Sequence, residues 1–309
     1  MTTWRFMDEE EPREGAWNMA VDDLLFQEAE EGEEQAPTLR LYGWRPHCLS
    51  IGFHQEYREA CDQLYCRTAG YDVVRRPTGG KAVLHAQEVT YAVVARQDRP
   101  PFAGLSLEGT YGLIAEALAA SLEWLGLPVV LTRRTLPITP RGGAPCFLVP
   151  SEKELLVRGR KVVGSAQRRG RRSFLQHGAV PLHVDYEGLR RATGRGEEEA
   201  ERYKAAFAGV ADLLPGISAR DVKAALRIGF ERSLRAEWEE RPLTGAERAQ
   251  AEVLKARRYG SALWTQKGPG EAGRTGDSPK ASFSAFPSPP STLHSPPFPS
   301  GLSKHEPES

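Results

Sequence analysis

Two side chains of this sequence have the chemistry of a group-transfer pair, a thiol at Cys146 and an amine at Lys161. Cys146 stands in Gly142-Gly143-Ala144-Pro145-Cys146-Phe147, and Lys161 follows 15 positions later in Gly159-Arg160-Lys161-Val162-Val163-Gly164-Ser165-Ala166-Gln167. A cation beside a thiol favours the thiolate, which is the nucleophilic form. A desolvated lysine amine is suited to proton transfer near neutrality. Gly164, Ser165 and Ala166 are small enough for a thin substrate to lie against. Their N–H groups, with those of Gly79 and Gly80, could stabilise a developing oxyanion. The same residues also read as a buried structural cysteine and a surface lysine in a Gly-Arg-Lys turn. His85 and His177 are candidates to polarise a substrate carbonyl; the alternative for each is a histidine that satisfies neighbouring strands.

A second feature is the run Arg75-Arg76-Pro77-Thr78-Gly79-Gly80-Lys81-Ala82-Val83-Leu84-His85. It gathers two guanidinium groups, a glycine pair and an imidazole at one sharp bend, where glycine lets backbone approach a ligand closely. Tyr71–Val74 before it and Glu88–Val94 after it read as short strands, so the bend is a loop held by a sheet. The plainer reading is a tight hairpin with solvated arginines. Arg168, Arg169, Arg171 and Arg172 cluster around Gly170 at an expected hairpin tip. They form either a solvated turn or a docking patch for an acidic protein partner. No aromatic-interleaved basic motif points to nucleic acid.

The elements that must position these groups follow from periodicity. A strand near Trp4–Met7 leads into a helix with Trp17, Ala20, Val21, Leu24 and Leu25 on one face. Its acidic end, Glu28 to Glu34, reads as a solvated face and connecting loop. Thr38–Trp44 and Cys48–Phe53 read as a strand pair around Arg45-Pro46-His47. Tyr111, Ile114, Ala115, Leu118, Leu122 and Leu125 mark a second amphipathic helix. Strands are expected near Val129–Leu131, Lys153–Val157, Lys161–Arg168 and Phe174–Pro181. Strands interleaved with few helices favour an α+β mixed sheet over a regular βαβ alternation. From Asp185 the chain turns helical and charged, with Val222, Leu226, Phe230, Leu234 and Trp238 stepping by four. Pro242-Leu243-Thr244 breaks into another helix, and this small helical annex closes near Tyr259–Trp264. Beyond Gln266 the sequence is dominated by Pro, Ser, Gly and Thr and cannot bury enough apolar surface to fold. The expected organisation is a core over 1–184, a helical part of the same domain over 185–264, and a disordered tail over 265–309.

Bulk properties narrow the class. Lys and Arg number 41 against 41 Asp and Glu, which excludes a wholesale polyanion binder. No apolar run is long enough to span a bilayer, and Met1–Phe6 lacks the order of a signal peptide. Cys48, Cys61, Cys66 and Cys146 form no CxxC pair or disulfide framework. His47, Cys48, His54, Cys61 and Cys66 fit no standard zinc spacing, so no metal is expected. A soluble cytoplasmic protein with reduced thiols is the expectation.

Taken together, Gly15–Asp22, Leu39–Trp44, the Arg75–His85 bend, Gly159–Gln167 and Gln176-His177-Gly178 resemble the biotin/lipoate protein ligase superfamily. The resemblance covers most of residues 1 to about 250. Within it the chain looks most like the octanoyltransferases that work through an acyl-cysteine. Pro145-Cys146-Phe147 is the discriminating piece, since lipoate ligases usually carry an Arg-Asn-Asp type sequence near here. Glu88-Val89-Thr90-Tyr91 likewise looks like the transferase version. Lys81 departs from the family pattern, where Gly or Arg is more usual.

The resemblance implies a class II aminoacyl-tRNA synthetase/biotin-ligase-like fold. It implies that Cys146 carries the acyl thioester and that Lys161 lowers its pKa. It implies a substrate pocket lined by Arg75, Thr78, Gly79, Gly80, His85, Gly164, Ser165 and Ala166. The implied donor is octanoyl-acyl carrier protein, a phosphopantetheine thioester, and the acceptor is a lysine of a lipoyl domain such as the glycine-cleavage H protein. No cofactor is expected, because exchanging one thioester for another and then forming an amide needs no ATP. The alternative is a lipoate-protein ligase that uses ATP and Mg, with Lys161 at the acyl phosphate and Cys146 incidental. A third class is a non-catalytic module that binds a carrier protein or a lipoyl domain.

Overall fold

The computed structural model describes residues 1–32, 35–132 and 153–269. Cys146 and residues 270–309 of the Pro/Ser-rich tail expected from the sequence lie outside the described residues, while 265–267, placed in that tail, belong to a helix. Among those described, the central element is a six-stranded mixed sheet. It is built from β1 (Thr2–Asp8), β2 (Thr38–Tyr42), β6 (Glu88–Arg96), β10 (Gly164–Arg169), β11 (Ser173–Pro181) and β12 (Ala236–Glu240). The spatial order is β10-β11-β6-β2-β1-β12. β1 runs parallel to β2 and β12, whereas the β2–β6, β6–β11 and β10–β11 pairs are antiparallel.

Alternation along β6 shows how the sequence divides the sheet's two faces. Val89, Tyr91, Val93 and Ala95 point into one core with Trp4, Phe102 and Phe174. That face is covered by α4 (Leu107–Trp124) and α8 (Ala219–Leu234), which pack on each other. Ala92 and Val94 point the other way, toward Leu24, Leu25 and Phe26 of α1 (Gly15–Glu31). α9 (Gly245–Leu254) packs outside α1. Its cap is reciprocal, with Thr244 accepting from the Glu247 N–H and Glu247 reaching back. Glu247 also receives Arg5 of β1 at 2.5 Å, tying this end of the chain to the first strand.

Two small sheets flank the large one. β3 (Cys48–Ile51) lies between β4 (Asp72–Arg75), which is parallel to it, and β5 (Val83–His85), which is antiparallel. The third contains β7 (Val129–Leu131), β8 (Leu155–Val157) and β9 (Arg160–Lys161). The expected pairing of 38–44 with 48–53 is therefore wrong: β2 joins the large sheet and β3 the small one. Nor is the Arg75–His85 bend a hairpin, since β3 separates β4 from β5.

The helical reading from Asp185 holds for α5 (Tyr186–Ala192), α6 (Glu198–Ala206), α7 (Val210–Leu213) and α8. It fails at Trp238. Arg235 adopts the left-handed conformation (φ 52°) and ends α8. Ala236–Glu240 then runs as β12 beside β1, with Trp238 opposite Trp4 in the register. Their rings meet edge to face at 6.1 Å. A four-residue step from Leu234 to Trp238 hid this change from helix to strand. The C-terminal segment thus completes the central sheet, and it continues through a π-helical turn (Lys255–Tyr259) to α10 (Ala262–Lys267).

Candidate active site

The Arg75–His85 bend takes its shape from two residues with no freedom to change. Gly80 sits at φ 91°, where other residues are strained. A Cβ on Gly52 would stand 2.0 Å from the Gly80 carbonyl oxygen, so the bend presses directly on the end of β3. Arg76, buried at 4 % exposure, holds it there. Its guanidinium donates to the carbonyls of Gly79 (2.6 Å), Lys81 (2.8 Å) and Ser50 (3.1 Å) and to the Ser50 hydroxyl (3.1 Å).

Behind the bend lies a narrow, partly open cavity. Its lining is mostly apolar, with Met19, Tyr42, Trp44 and Val83 beside the small Gly164, Ala166, Gly178 and Ala179, and it includes Ser50, Arg76, His85, Thr90, Ser165 and His177. Trp44 stacks on His85, with ring centres 4.0 Å apart and planes 12° apart. β10 and β11 place Ser165 opposite Gly178. A Cβ on Gly178 would meet the Gly164 oxygen at 2.5 Å and the Tyr91 ring at 2.8 Å, so only glycine keeps this wall thin. β10 is an edge of the described sheet, and alternate N–H groups of Gly164–Ala166 therefore point away from β11.

Two hydroxyl–imidazole–carboxylate chains converge on this cavity. In one, His85 bonds Ser50 Oγ through Nε2 and Glu88 through Nδ1, both at 2.7 Å. Thr90 donates to the same Glu88 oxygen (2.6 Å) and accepts from the Trp44 indole (2.7 Å). In the other, His177 bonds Thr78 Oγ1 at 2.7 Å and Asp22 at 2.8 Å. A carboxylate at Nδ1 fixes the proton there and leaves Nε2 to accept from the hydroxyl. Asp22 also receives Tyr42 (2.8 Å) and Arg40 (2.6 Å). Burial opposes its ionisation, but Arg40 and His177 outweigh that and hold the Asp22 carboxyl below the usual range. Burial pushes His177 down, so it is neutral at pH 7.

Lys161 is buried on β9 and pairs with Glu154 at 2.7 Å. Thr132 Oγ1 receives the Glu154 backbone N–H at 2.8 Å. Glu154 is also close enough to oppose ionisation of Tyr91, whose hydroxyl meets Ser165 Oγ at 2.7 Å. Burial is the main reason that Tyr91 is pushed up to about 12. The Lys161–Glu154 pair thus stands outside the cavity lining but within electrostatic reach of the Tyr91–Ser165 contact.

The structure brings His85, Gly164, Ser165 and Ala166 together in the cavity wall. Thr78 reaches it through His177, while Gly79 and Gly80 form the bend that Arg76 closes. Arg75 is a correction. Its side chain turns away and donates to the carbonyls of Gly52, Phe53, Gln55, Trp264 and Thr265, clamping α10 against the end of β3. The neighbouring Arg76 faces the cavity instead, because successive side chains of an extended segment alternate in direction. Lys81 is exposed and is held in the bend through its backbone carbonyl. Glu154, Ser50, Arg76, Trp44 and Glu88 were not singled out as site residues; of these, Arg76 lay within the motif and Glu88 just beyond it.

The other cysteines are buried. Cys48 is fully so, and burial pushes its thiol well up. Cys61 and Cys66 contact each other at 3.8 Å. Among the described residues no group of His, Cys, Asp or Glu could hold a metal ion. No helix among them is long and apolar enough to cross a membrane. The basic hairpin tip is largely engaged within the protein. Arg168 pairs with Asp23 (3.0 Å) over the Phe26 ring, and Arg169 bonds Gln97 and the Leu105 carbonyl. Glu30, expected on a solvated face, accepts the N–H groups of Arg171, Arg172 and Ser173. Arg171 and Arg172 alone of the four point outward.

The sequence profile of the lipoyl protein ligase A/B catalytic domain matches residues 14–231, more than half of the chain. The chain belongs to this family. Octanoyltransferase LipM of Carboxydothermus hydrogenoformans is 37% identical over 272 residues, 85% of this chain and 98% of the relative. Octanoyltransferase LipM of Kyrpidia tusciae is 40% identical over 267 residues, 83% of this chain and 96% of the relative. Among solved structures, a lipoate-protein ligase A bound with ATP aligns with TM-score 0.70 and 23% identity, over 86% of this chain and 98% of the other. The bipartite lipoate protein ligase of Thermoplasma acidophilum aligns with TM-score 0.72 and 23% identity, over 86% and 97%. At that identity the two structures speak for a shared fold, and the family's α+β mixed sheet with packed helices is the one described above.

Proposed function

We propose that the protein moves an octanoyl group from the phosphopantetheine thioester of an acyl carrier protein to Cys146, and from there to a lysine of a lipoyl domain. The glycine-cleavage H protein is one such acceptor. That the chain is an octanoyl-transferring enzyme rests on its 35–40% identity to octanoyltransferases along nearly their whole length. The geometric observation that carries the reading is the narrow apolar cavity with Gly164 and Gly178 in its wall, Gly164 standing three residues after Lys161 of the buried Lys161–Glu154 pair. A saturated chain suits the apolar lining, and its carbonyl would lie at the Gly164 end, toward the buried amine of Lys161.

In this mechanism Lys161 stabilises the Cys146 thiolate by its charge. The sulfur attacks the donor carbonyl, the C–S bond to phosphopantetheine breaks, and N–H groups of the Gly164–Ala166 edge stabilise the oxyanion. Amide formation at the acceptor lysine then releases Cys146. Neither step consumes ATP, and no cofactor is invoked. The whole reaction is tested with octanoyl-acyl carrier protein, a lipoyl domain and the purified chain. Octanoylation of the lipoyl domain without ATP is the expected result. Modification only with free lipoate and ATP would establish a ligase instead, and binding of carrier protein without transfer would establish a non-catalytic module.

A further inference from the structure

A second, narrow and partly open cavity is lined by Glu88 of the His85–Glu88 pair. Its walls include Leu84, Pro181, Val184, Leu189 and Phe207, and it shares Val83 with the first cavity. Phe207 is bridged through its backbone to Lys161, which places this cavity beside the strand that carries the lysine. The two ends of one hydrogen-bonded pair face different spaces: His85 lines the first cavity and Glu88 the second. The Glu88 side chain is only 3% exposed. One of its oxygens takes both His85 and Thr90. The other has no hydrogen bond to the described residues.

The charge of the second cavity selects its occupant. Glu88 and Asp185 line it, no lysine or arginine does, and its one basic side chain, His183, is held by Asp212 at 2.6 Å. A phosphate-bearing arm would meet only carboxylates there. An aliphatic stem ending in an ammonium suits both the apolar walls and the buried carboxylate.

We propose that this second cavity receives the side chain of the acceptor lysine and that the Glu88–His85 pair takes its proton. The inference deepens the acyl-cysteine reading and rests on it. The ammonium gives one proton to Glu88. Its nitrogen then attacks the thioester carbonyl from the side opposite the octanoyl chain. The C–N bond forms, the C–S bond breaks, and a second N–H proton goes to the departing sulfur. The products are a neutral amide, a free thiol and one proton, which leaves the Glu88–His85 pair for solvent.

The test separates the half-reactions in the full chain. Wild type, Glu88→Gln and Ala86→Leu are first loaded with octanoyl-acyl carrier protein. The isolated octanoyl-enzymes are then mixed with a lipoyl domain or with hydroxylamine, a nucleophile that arrives neutral. Glu88→Gln should lower the rate toward the lipoyl domain about 100-fold more than the rate toward hydroxylamine or the rate of loading. Ala86→Leu, which narrows the cavity without removing a polar group, should show the same selectivity toward the lipoyl domain over loading. Equal losses in loading and transfer would mean that the cavity serves the donor or only the fold, and overturn the proposal. So would unchanged transfer by both variants. If wild type acquires no octanoyl group, the acyl-cysteine reading itself fails; if it loads and the variants transfer normally, only the lysine site fails.

Discussion

Replacing Asp22 by alanine tests the reasoning that one buried carboxylate organises half of the site. Asp22 has no exposure and accepts from Arg40, Tyr42 and His177 at 2.6, 2.8 and 2.8 Å. Arg40 keeps Glu9 at 2.6 Å and two bonds to Asn18, so its charge is not stranded. The Tyr42 hydroxyl and the His177 N–H lose their acceptor, at about 1–3 kcal/mol each. With the weakened Arg40 added, the loss is about 3–5 kcal/mol, as found when one member of a buried ion pair is removed. A domain stable by about 5–15 kcal/mol remains measurable after that loss. Urea unfolding followed by tryptophan fluorescence should show a lower midpoint at unchanged slope. The pH dependence provides an independent check. The folded-state pKa of Asp22 is depressed, so its contribution is present above the ordinary value of 3.8 and is lost as pH falls through the folded value. The gap between wild type and variant should therefore narrow in acid. A loss below about 1 kcal/mol near neutrality, or a gap that does not narrow, would refute the reasoning.

Four further outcomes are expected. Gly178→Ala should push β10 from β11, cost about 1–3 kcal/mol by overpacking and slow octanoyl loading; loading at the wild-type rate would show that this wall does not shape the acyl site. His177 resists protonation in the fold, so wild-type stability should decline as pH falls below the ordinary value of 6.5, where only the unfolded chain gains the proton. His177→Gln should flatten that slope, and an identical slope would assign it to other groups. Lys161→Ala and Glu154→Ala should be non-additive by about 1 kcal/mol or more in a double-mutant cycle, since the two buried charges lie 2.7 Å apart; simple additivity would deny the coupling. Charge reversal at Arg171 and Arg172 should leave stability unchanged and weaken transfer most at low salt; kinetics that are equal at every salt concentration would remove the docking role.

The elements most legible in the sequence were those whose periodicity is local. α1, α4, β6 and β11 follow from apolar spacing alone, because each buries a face defined within its own residues. Pairing was less legible. β2 and β3 are separated by a short turn, yet β2 is buried on both faces, Leu39 and Leu41 in the core with α8 and Tyr42 in the core with α1, which commits it to the large sheet, while β3 is held by β4 and β5. β12 was hidden because Trp238 continues the helical step beyond the left-handed Arg235. In the site, the glycine bend, His85 and the Gly164–Ala166 strip announced themselves by composition. The roles of Arg75 and Arg76 did not, since adjacent identical residues differ only in which way the extended backbone turns them. Glu154 carries no motif of its own, and the Glu88–Tyr91 stretch speaks for the family without giving Glu88 a role; both acquire that role only from the lysine and the histidine they meet.

The measurement closest to the central claim is intact-protein mass spectrometry after mixing the purified chain with octanoyl-acyl carrier protein in the absence of ATP. The account predicts a single octanoyl increment that hydroxylamine removes and Cys146→Ala abolishes, with Lys161→Ala slowing its appearance. No increment on the wild-type chain, or one that survives Cys146→Ala, would contradict it.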